Sequence, residues 1–414
     1  MTGRLHVIGA GLAGLAAALS LTAGGRCVTI HEAGPAAGGR CRSWFDRELG
    51  LTIDNGNHLL LSGNRAAFAY LAEIGATTTL GGPTEPQFPF IDLGTGERWT
   101  LRPNRGRLPW WILAPHRRVP GTTAGDYLAL RCLASMADNR SVAVAVGESV
   151  LYHRLIEPLA TAALNTRAND GLARLLGVVV RETLMQGGAA AMPRIPRDSL
   201  TASLIDPAVA ELRGRGAEFC FSRRVAALDI EDGRVALLRT TDGEVPVDAG
   251  DAVVLAVPPW VAADLLPGLD APDAFEAILN IHFRIHADPG PAGFIGLIGG
   301  TAEWVFVKPG HVSVTISAAN RMVDQPAPAI AAAVWPDVRT ALGVREPDMP
   351  PWRVVKERRA TFAATAEQER RRSGARTTIP NLVLAGDWTT TGLPATIEGA
   401  IRSGRRAAEL LLGT

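Results

Sequence analysis

Three glycines and one acid near the start of the chain have the types and spacing that hold a dinucleotide. Gly9, Gly11 and Gly14 follow an apolar run, LHVI, and open an Ala/Leu-rich segment with helical character. The first glycine permits a tight turn, the second lets backbone approach a pyrophosphate, and the third lets the helix lie close to the strand. Glu32 follows Gly14 by 18 residues, where a carboxylate binds ribose hydroxyls. The stretch predicts a dinucleotide without a 2′-phosphate and leaves NAD and FAD both open.

A second glycine segment comes just after that acid. Gly38 and Gly39 allow another close approach of backbone to a ligand, and Arg40 adds a fixed cation beside it. This combination suits a second grip on the pyrophosphate, or on a ring system lying over the loop. The cofactor contacts expected from this end of the chain are Gly9, Gly11, Leu12, Ala13, Gly14, Glu32, Ala33, Gly38, Gly39 and Arg40.

Several titratable side chains could carry proton chemistry or lie near the cofactor. Residues 54–58, DNGNH, form a polar cluster between apolar strand-like runs, which predicts a buried turn facing a ligand. His58 fits a proton donor, a contact to the cofactor or a buried structural histidine. Glu157, on an otherwise apolar helix, fits either an acid near the substrate or a solvated residue. Lys308 precedes Pro309-Gly310, and we expect it to be a solvated turn cation.

The end of the chain offers a second half for the same site. A short apolar strand ends at Gly386-Asp387, and a helix is predicted to start near Ala395 or Thr396. Small residues on one face of that helix would let a flat ring approach, and its first N–H groups would stabilise negative charge on the ring. These small residues are Gly399, Ala400, Ser403 and Gly404. The contacts expected from this end are Gly386, Asp387, Ala395, Thr396 and Ile397, together with Asn57 and His58 from the polar turn.

The elements that must position these residues predict an α/β fold with a discontinuous dinucleotide domain. The apolar run 252–259 belongs in the middle of a parallel sheet, so we expect the dinucleotide domain, interrupted near residue 77, to resume there. We expect a Rossmann-type dinucleotide-binding domain and an antiparallel-sheet substrate domain, joined by a mainly helical insert that faces substrate and membrane. Their predicted boundaries are 1–76, 215–262 and 376–414 for the first, 77–120 and 263–375 for the second, and 121–214 for the insert.

Composition excludes several classes of function. The net charge of +1 over 414 residues gives no reason to expect nucleic acid as a partner. The four cysteines are scattered, which predicts neither a disulfide framework nor a metal site. We expect Cys27 and Cys220, in strand-like runs, to be buried thiols. The chain enters its first strand at once, without a recognisable signal peptide, so we expect a cytoplasmic protein. No particular oligomeric state is predicted.

One apolar segment could contact a membrane surface. Residues 109–113, PWWIL, precede His116, Arg117 and Arg118. Tryptophans beside cations are typical of a peripheral anchor at a membrane interface. A core-packing segment with a solvated end is the alternative, and the sequence leaves both open. Because no apolar run reaches 18 residues, we expect any membrane contact to be peripheral, at the inner face of the membrane.

Taken together, these motifs resemble the superfamily of flavin amine oxidases and carotenoid desaturases. The resemblance rests on the glycine motifs, Glu32, Val253 to Pro258, Gly386-Asp387 and the closing helix, and it covers the whole chain in order. It implies that the dinucleotide is FAD. It also implies that the strand starting at Arg224-Val225 meets the adenine, which makes Val225 a further expected cofactor contact.

Within that superfamily, three segments resemble the hydroxysqualene dehydroxylases. They are residues 54–61, 159–166 and 393–404, although Arg167 stands where a proline is expected. The resemblance implies reduction of hydroxysqualene to squalene, with loss of the allylic hydroxyl as water, reduced FAD as reductant and an external electron donor. His58 and, behind it, Glu157 are then the candidate proton donors. A carotenoid-type desaturase, a flavin amine oxidase and a nucleotide-binding escort protein without turnover remain alternatives.

Overall fold

The computed structural model describes residues 3–413, and two sheets dominate it. Its strands are β1 (Leu5–Ile8), β2 (Val28–His31), β3 (Ser43–Asp46), β4 (Leu51–Asp54), β5 (Leu60–Leu61), β6 (Leu80–Gly81), β7 (Phe88–Asp92), β8 (Arg98–Leu101), β9 (Pro193–Pro196), β10 (Glu218–Cys220), β11 (Val225–Glu231), β12 (Arg234–Thr240), β13 (Gly243–Pro246), β14 (Ala252–Leu255), β15 (Phe275–Phe283), β16 (Phe294–Ile298), β17 (Trp304–Lys308), β18 (His311–Ile316), β19 (Trp352–Phe362) and β20 (Leu382–Leu384).

The α-helices of the same residues lie around these two sheets. They are α1 (Leu12–Ala23), α2 (Arg65–Glu73), α3 (Leu128–Ala134), α4 (Val142–Val146), α5 (Glu157–Leu164), α6 (Ala173–Glu182), α7 (Asp206–Gly214), α8 (Pro259–Leu265), α9 (Ala327–Leu342), α10 (Ala366–Arg370) and α11 (Ile397–Leu412). Among the helices that the structure describes, none combines the length and the apolar character that crossing a membrane requires.

The first sheet is parallel and has the strand order β10-β2-β1-β14-β20. The central strands β1 and β14 are almost wholly buried, because helices α1 and α11 cover one face of the sheet and the antiparallel β11-β12-β13 sheet with α8 covers the other. Strand β14 is flanked by β1 and β20, which confirms the prediction that residues 252–259 contribute an inner strand of a parallel sheet. Helices α1 and α11 pack in backbone contact, since a Cβ on Gly404 would lie 2.1 Å from the carbonyl oxygen of Ala13.

The second sheet has seven strands in the order β19-β15-β18-β17-β16-β7-β8, antiparallel except for the β16–β7 pair. Alternation along each strand separates two kinds of face. On one face Val305, Val312 and Val314 pack with helix α9 in an apolar core. The opposite face carries aromatic, histidine, lysine and hydroxyl side chains and turns toward the polar turn at residues 54–58.

Most of the predicted helical insert packs as one unit, but its last residues pack elsewhere. Helices α3 to α6 form a separate apolar core, as expected for a helical insert. Residues 200–212, which we had placed in the same insert, pack instead around α1 in the core beneath the parallel sheet. Strand β9 pairs with β5 and β6 and so returns the chain from the insert. The cysteine prediction was wrong: Cys27 is exposed and Cys220 half-buried, because both stand at strand ends.

Candidate functional site

The turn between β1 and α1 is shaped so that backbone, and not side chains, faces a ligand. Gly9 has φ +103°, and a Cβ there would lie 2.4 Å from the carbonyl oxygen of Ala256. A Cβ on Gly14 would lie 2.0 Å from the carbonyl oxygen of Gly9. Gly11 is different, because a Cβ on it would meet no protein atom within 4 Å. Its missing side chain therefore leaves open space at the helix N-terminus, which fits a pyrophosphate.

The second glycine segment lies directly against the first. The N–H of Gly38 donates to the carbonyl oxygen of Ala10 at 2.8 Å, and Gly38 bridges to Gly11 as a short parallel pair. Gly38 has φ +123°, where a Cβ would lie 2.6 Å from the carbonyl oxygen of Cys41. The two segments, which are more than twenty residues apart in sequence, thus form the two walls of one cradle.

Glu32 holds this cradle together through its side chain. One carboxylate oxygen accepts the N–H of Ala10 at 2.8 Å, and the other accepts the N–H of Gly34 at 2.7 Å. Its backbone carbonyl also accepts the N–H of Arg223 at 2.9 Å, two residues before Val225 opens β11. The acid, the first glycine turn and the start of β11 are therefore neighbours. Nearby, Leu12 and Ala13 are buried in α1, and Ala33 is exposed.

Arg40 joins the two ends of the chain. Its guanidinium donates to the Asp387 carboxylate at 2.6 Å and to the carbonyl oxygen of Ala360 at 2.6 Å. Asp387 is almost wholly buried just beyond β20, after Gly386. An ion pair between a loop after β2 and the end of β20 places both predicted halves of the cofactor site next to each other.

Helix α11 begins where the sequence predicted. Thr396 is its N-cap, and the Thr396 hydroxyl accepts the N–H of Gly399 at 3.1 Å, so the first N–H groups of the helix stand beside Ala395 and Ile397. The expectation for the small-residue face needs correction. Ser403 accepts the N–H of Gly386 at 2.9 Å, and Gly404 packs on α1, so that part of the face is used for helix packing.

Arg372 is a site component that the sequence reasoning missed. Its fully buried guanidinium pairs with Glu369 and donates to several acceptors in the loop between β20 and α11. These acceptors are the carbonyl oxygens of Asp387, Trp388, Thr389 and Leu393 and the hydroxyl of Thr391. The arginine therefore fixes the loop that carries Asp387. No local motif announces such a role, because every acceptor but the Thr391 hydroxyl is a backbone atom.

The polar turn at residues 54–58 contains a buried ion pair. Asp54 pairs with Lys308 and also accepts the Ser43 hydroxyl at 2.6 Å and the N–H of Leu200 at 2.9 Å. Burial alone would raise the pKa of Asp54, but the Lys308 charge and these hydrogen bonds hold it below its ordinary value. The prediction that Lys308 is a solvated turn cation was wrong, because the lysine ends β17 on the inner face of the sheet.

His58 stands beside this ion pair without a hydrogen bond from the protein residues that the structure describes. Burial lowers the pKa of His58 to about 4. The negative charge of Asp54 raises this pKa, whereas the positive charges of Lys308 and Arg40 lower it. The imidazole is therefore neutral at pH 7. A neutral imidazole still offers one N–H donor and one acceptor, and neither is hydrogen-bonded to another of the residues that the structure describes.

The strands under the turn add a polar floor. The Asn57 side-chain amide donates to the Ser313 hydroxyl at 2.8 Å and to the Thr315 hydroxyl at 3.0 Å, while its Oδ1 has no hydrogen-bond partner within residues 3–413. His282 and His311 lie close by with ring centroids 5.6 Å apart. Burial lowers the pKa of His282 to about 3 and that of His311 to about 4, so both are neutral at pH 7.

Next to the polar floor, the same face of the sheet is aromatic. Phe294 lies 5.9 Å from Phe306 and 6.1 Å from Trp304, measured between ring centroids, and Leu59 packs on this group. Trp304 continues to Phe90 at 5.6 Å, which leads into the core of the helical insert. Since Leu59 follows His58 directly, the histidine marks the border between polar and apolar surroundings.

The structure removes one predicted catalytic residue from the site. Glu157 starts α5 with its side chain 45% exposed, and its carboxylate lies 3.3 Å from the exposed His153. This placement corrects the expectation for Glu157: a solvated carboxylate paired with a surface histidine lies outside the chemistry around His58. The alternative that the sequence left open, a solvated residue, is the one observed.

Comparison with known proteins agrees with this arrangement. The chain matches the family described as flavin containing amine oxidoreductase over residues 12–285 and 306–412. A hydroxysqualene dehydroxylase of Rhodopseudomonas palustris is 50% identical over 100% of this chain and 99% of the relative. Another, of Zymomonas mobilis, is 45% identical over 98% of each chain. The solved structure of an oxidoreductase from Methanosarcina mazei shares the fold, with a TM-score of 0.74 at 16% identity, covering 98% of this chain and 100% of that one.

Proposed function

Because the chain belongs to the hydroxysqualene dehydroxylases, within the flavin containing amine oxidoreductase family, we propose that it reduces hydroxysqualene to squalene with FAD as its cofactor. The allylic hydroxyl leaves as water, and fully reduced FAD, when bound, would supply both the hydride that replaces the hydroxyl and the proton that completes the water. Carotenoid-type desaturation and amine oxidation are the contrasting activities for the test.

The glycine cradle and the loop after β20 are the proposed cofactor contacts. Backbone at Gly11 and Gly38 would face the pyrophosphate, and Glu32 would share its carboxylate with the ribose. The Arg40–Asp387 pair stands where the two halves meet. The N-terminus of α11 would place its N–H groups at the ring, where they favour negative charge.

His58 is the proposed contact to the departing hydroxyl. Its N–H would donate to the hydroxyl oxygen, since no other described residue forms a hydrogen bond with the neutral ring. With a pKa of about 4, the ring is not protonated at pH 7, so we assign it hydrogen bonding and orientation and not the delivery of a stored proton.

The apolar neighbours of His58 suit a reaction that passes through an electron-poor allylic centre. Such a centre must be kept from water and from nucleophiles until it is reduced. The side chains of Leu59, Phe294 and Phe306 exclude water and offer no nucleophile. Burial also raises the pKa of the nearby Cys41 thiol, which therefore stays protonated and unreactive.

The observation that carries the proposal is the position of His58 between the cofactor cradle and the aromatic face, in a chain whose full length matches dehydroxylases. The test uses purified holoenzyme reduced without oxygen. With hydroxysqualene, we expect the yellow flavin colour to return while squalene forms. A flavin that stays reduced with hydroxysqualene would refute the proposal, and oxidised enzyme bleached by a polyene or an amine would point to the contrasting activities.

We also propose where in the cell the enzyme acts. Substrate and product are both isoprenoids of very low polarity, so they exchange with a lipid phase and not with water. A peripheral position on the cytoplasmic face of a membrane would give access to that phase and to an electron donor for FAD. Fractionation of cells into membrane and soluble material, with a salt wash of the membranes, tests this position.

A further inference from the structure

We infer that a preformed face on the segment that packs against the helical insert binds an anionic lipid bilayer. The face, called the docking face below, consists of Leu108, Trp110 and Leu113, with Arg102 and Arg107 exposed beside it. The inference specifies which surface would bind the membrane at the position proposed above. It rests on the proposed function in one respect, because an enzyme with isoprenoid substrates needs access to lipid.

The geometry of one short helix creates the docking face. Residues Trp110–Leu113 form a 3₁₀ helix, in which side chains at positions i and i+3 lie over each other. Trp110 and Leu113 therefore share one side and are 53% and 70% exposed. Trp111 points the other way, where it is 6% exposed and packs edge-on against Tyr127 with centroids 5.0 Å apart. Trp111 therefore anchors the segment in the protein core, and Trp110 is exposed and available to a binding partner.

The loop that carries the face is held in shape before any partner binds. The buried Asn104 amide donates to the carbonyl oxygens of Gly106 and Leu108 at 3.0 Å each, and its oxygen accepts the N–H of Trp111 at 3.3 Å. The Arg117 guanidinium covers the Trp110 ring at 4.8 Å from the ring centroid. The exposed apolar tips are thus fixed outward, which spares the ordering entropy that a flexible loop would lose on binding.

The positive charge around the docking face indicates what kind of surface binds there. Residues 102–118 contain five arginines, one histidine and no acid. Within residues 3–413, Arg102, Arg107, Arg117 and Arg118 form no ion pair with a carboxylate, while Arg105 pairs with Glu85. Apolar tips surrounded by unpaired cations complement a surface with a hydrocarbon interior and anionic headgroups.

Exposed apolar side chains of the described residues concentrate in the same lobe. Seven of the nine large ones lie between residues 108 and 185, and the other two, Phe45 and Ile230, lie on other parts of the molecule. This lobe also packs, through Phe90, against the aromatic face beside His58. The segment of the docking face, through Trp111, and the aromatic face, through Phe90, therefore meet in one apolar core.

Vesicle co-sedimentation with the purified holoenzyme tests the inference. We compare vesicles of phosphatidylcholine with vesicles that also contain phosphatidylglycerol. Wild-type protein should prefer the anionic vesicles, and salt should weaken that preference. The triple variant Leu108→Ser/Trp110→Ser/Leu113→Ser should bind them roughly tenfold more weakly or worse, since it loses the apolar insertion. The matched control Phe45→Ser/Ile230→Ser, which also removes exposed apolar side chains, should bind like wild type.

A charge variant separates the electrostatic part. Arg102→Gln/Arg107→Gln should weaken binding to the anionic vesicles by about fivefold for each charge removed and leave binding to phosphatidylcholine unchanged. All of these positions are exposed, so the unfolding temperature of each variant should equal that of wild type. A lowered unfolding temperature would identify a variant that misfolds. Equal binding of wild type and the triple variant, or equal losses in the control, would overturn the inference.

Activity in detergent keeps this test apart from that of the proposed function. With hydroxysqualene dissolved in micelles, the triple variant should turn over as fast as wild type. If wild type binds anionic vesicles but produces no squalene in micelles, the proposed function fails and the docking face stands. If it produces squalene but binds no vesicles, the docking face fails alone.

Discussion

Replacing Lys308 by methionine should be the most damaging single change to the polar core of the molecule. The substitution leaves Asp54 buried without its counter-charge, among surroundings that hold it ionised. Removing one partner of a buried ion pair costs about 3–5 kcal/mol. Because Asp54 keeps its hydrogen bonds from Ser43 and Leu200, we expect a loss near the lower figure.

The double variant Asp54→Asn/Lys308→Met measures the charge contribution directly. Two neutral partners of similar size remove the unpaired charge, so the double variant should regain at least about 2 kcal/mol over Lys308→Met. Urea unfolding of the holoenzyme, followed by flavin fluorescence and circular dichroism, gives the two free energies. The matched control is Arg406→Met, which breaks an exposed pair with Glu409 and should cost at most about 1 kcal/mol. A double variant as unstable as Lys308→Met would refute the reasoning.

Three further predictions concern the cradle, the buried histidines and the surface acid. Gly11→Ala should fold but purify with less flavin, because the new methyl group enters the cofactor space, whereas Gly14→Ala should lower the unfolding temperature; flavin absorbance and thermal melts distinguish them. His282 and His311 have pKa values of about 3 and 4 when folded against 6.5 when unfolded, so stability is complete above pH 6.5 and falls toward pH 4, by at most about 1.4 kcal/mol per pH unit for each histidine. Urea midpoints from pH 7 to 4.5 should show this slope, and His282→Asn should reduce it. Glu157→Gln should keep full turnover, and a large loss would return that acid to the mechanism.

The success of sequence reasoning depended on how far apart the interacting groups lie along the chain. The turn from Gly9 to Gly14 and the start of α11 at Thr396 were predictable, because each is decided by local backbone requirements. Lys308 was misjudged because its partner, Asp54, lies 254 residues away and only the folded sheet brings them together. A lysine beside Pro-Gly looks solvated until such a partner is known.

Contacts that form only in the folded chain also decide the other positions that the sequence left open or misplaced. Trp110 and Trp111 are chemically identical neighbours, and only the 3₁₀ geometry decides which one is buried. Gly404 was predicted to leave room for a ring, yet it leaves room for α1, because a small residue on a helix serves any close neighbour. Arg372 gave no signal at all, since its acceptors are mostly carbonyl oxygens that any sequence would supply.

The most direct test of the account is an oxygen-free titration of fully reduced holoenzyme with hydroxysqualene. We predict that one equivalent of substrate per bound FAD restores the oxidised flavin spectrum and yields one equivalent of squalene, and that His58→Phe, with its flavin still bound, slows this single turnover. A flavin spectrum that does not respond to hydroxysqualene, or that recovers without squalene being formed, would contradict the account.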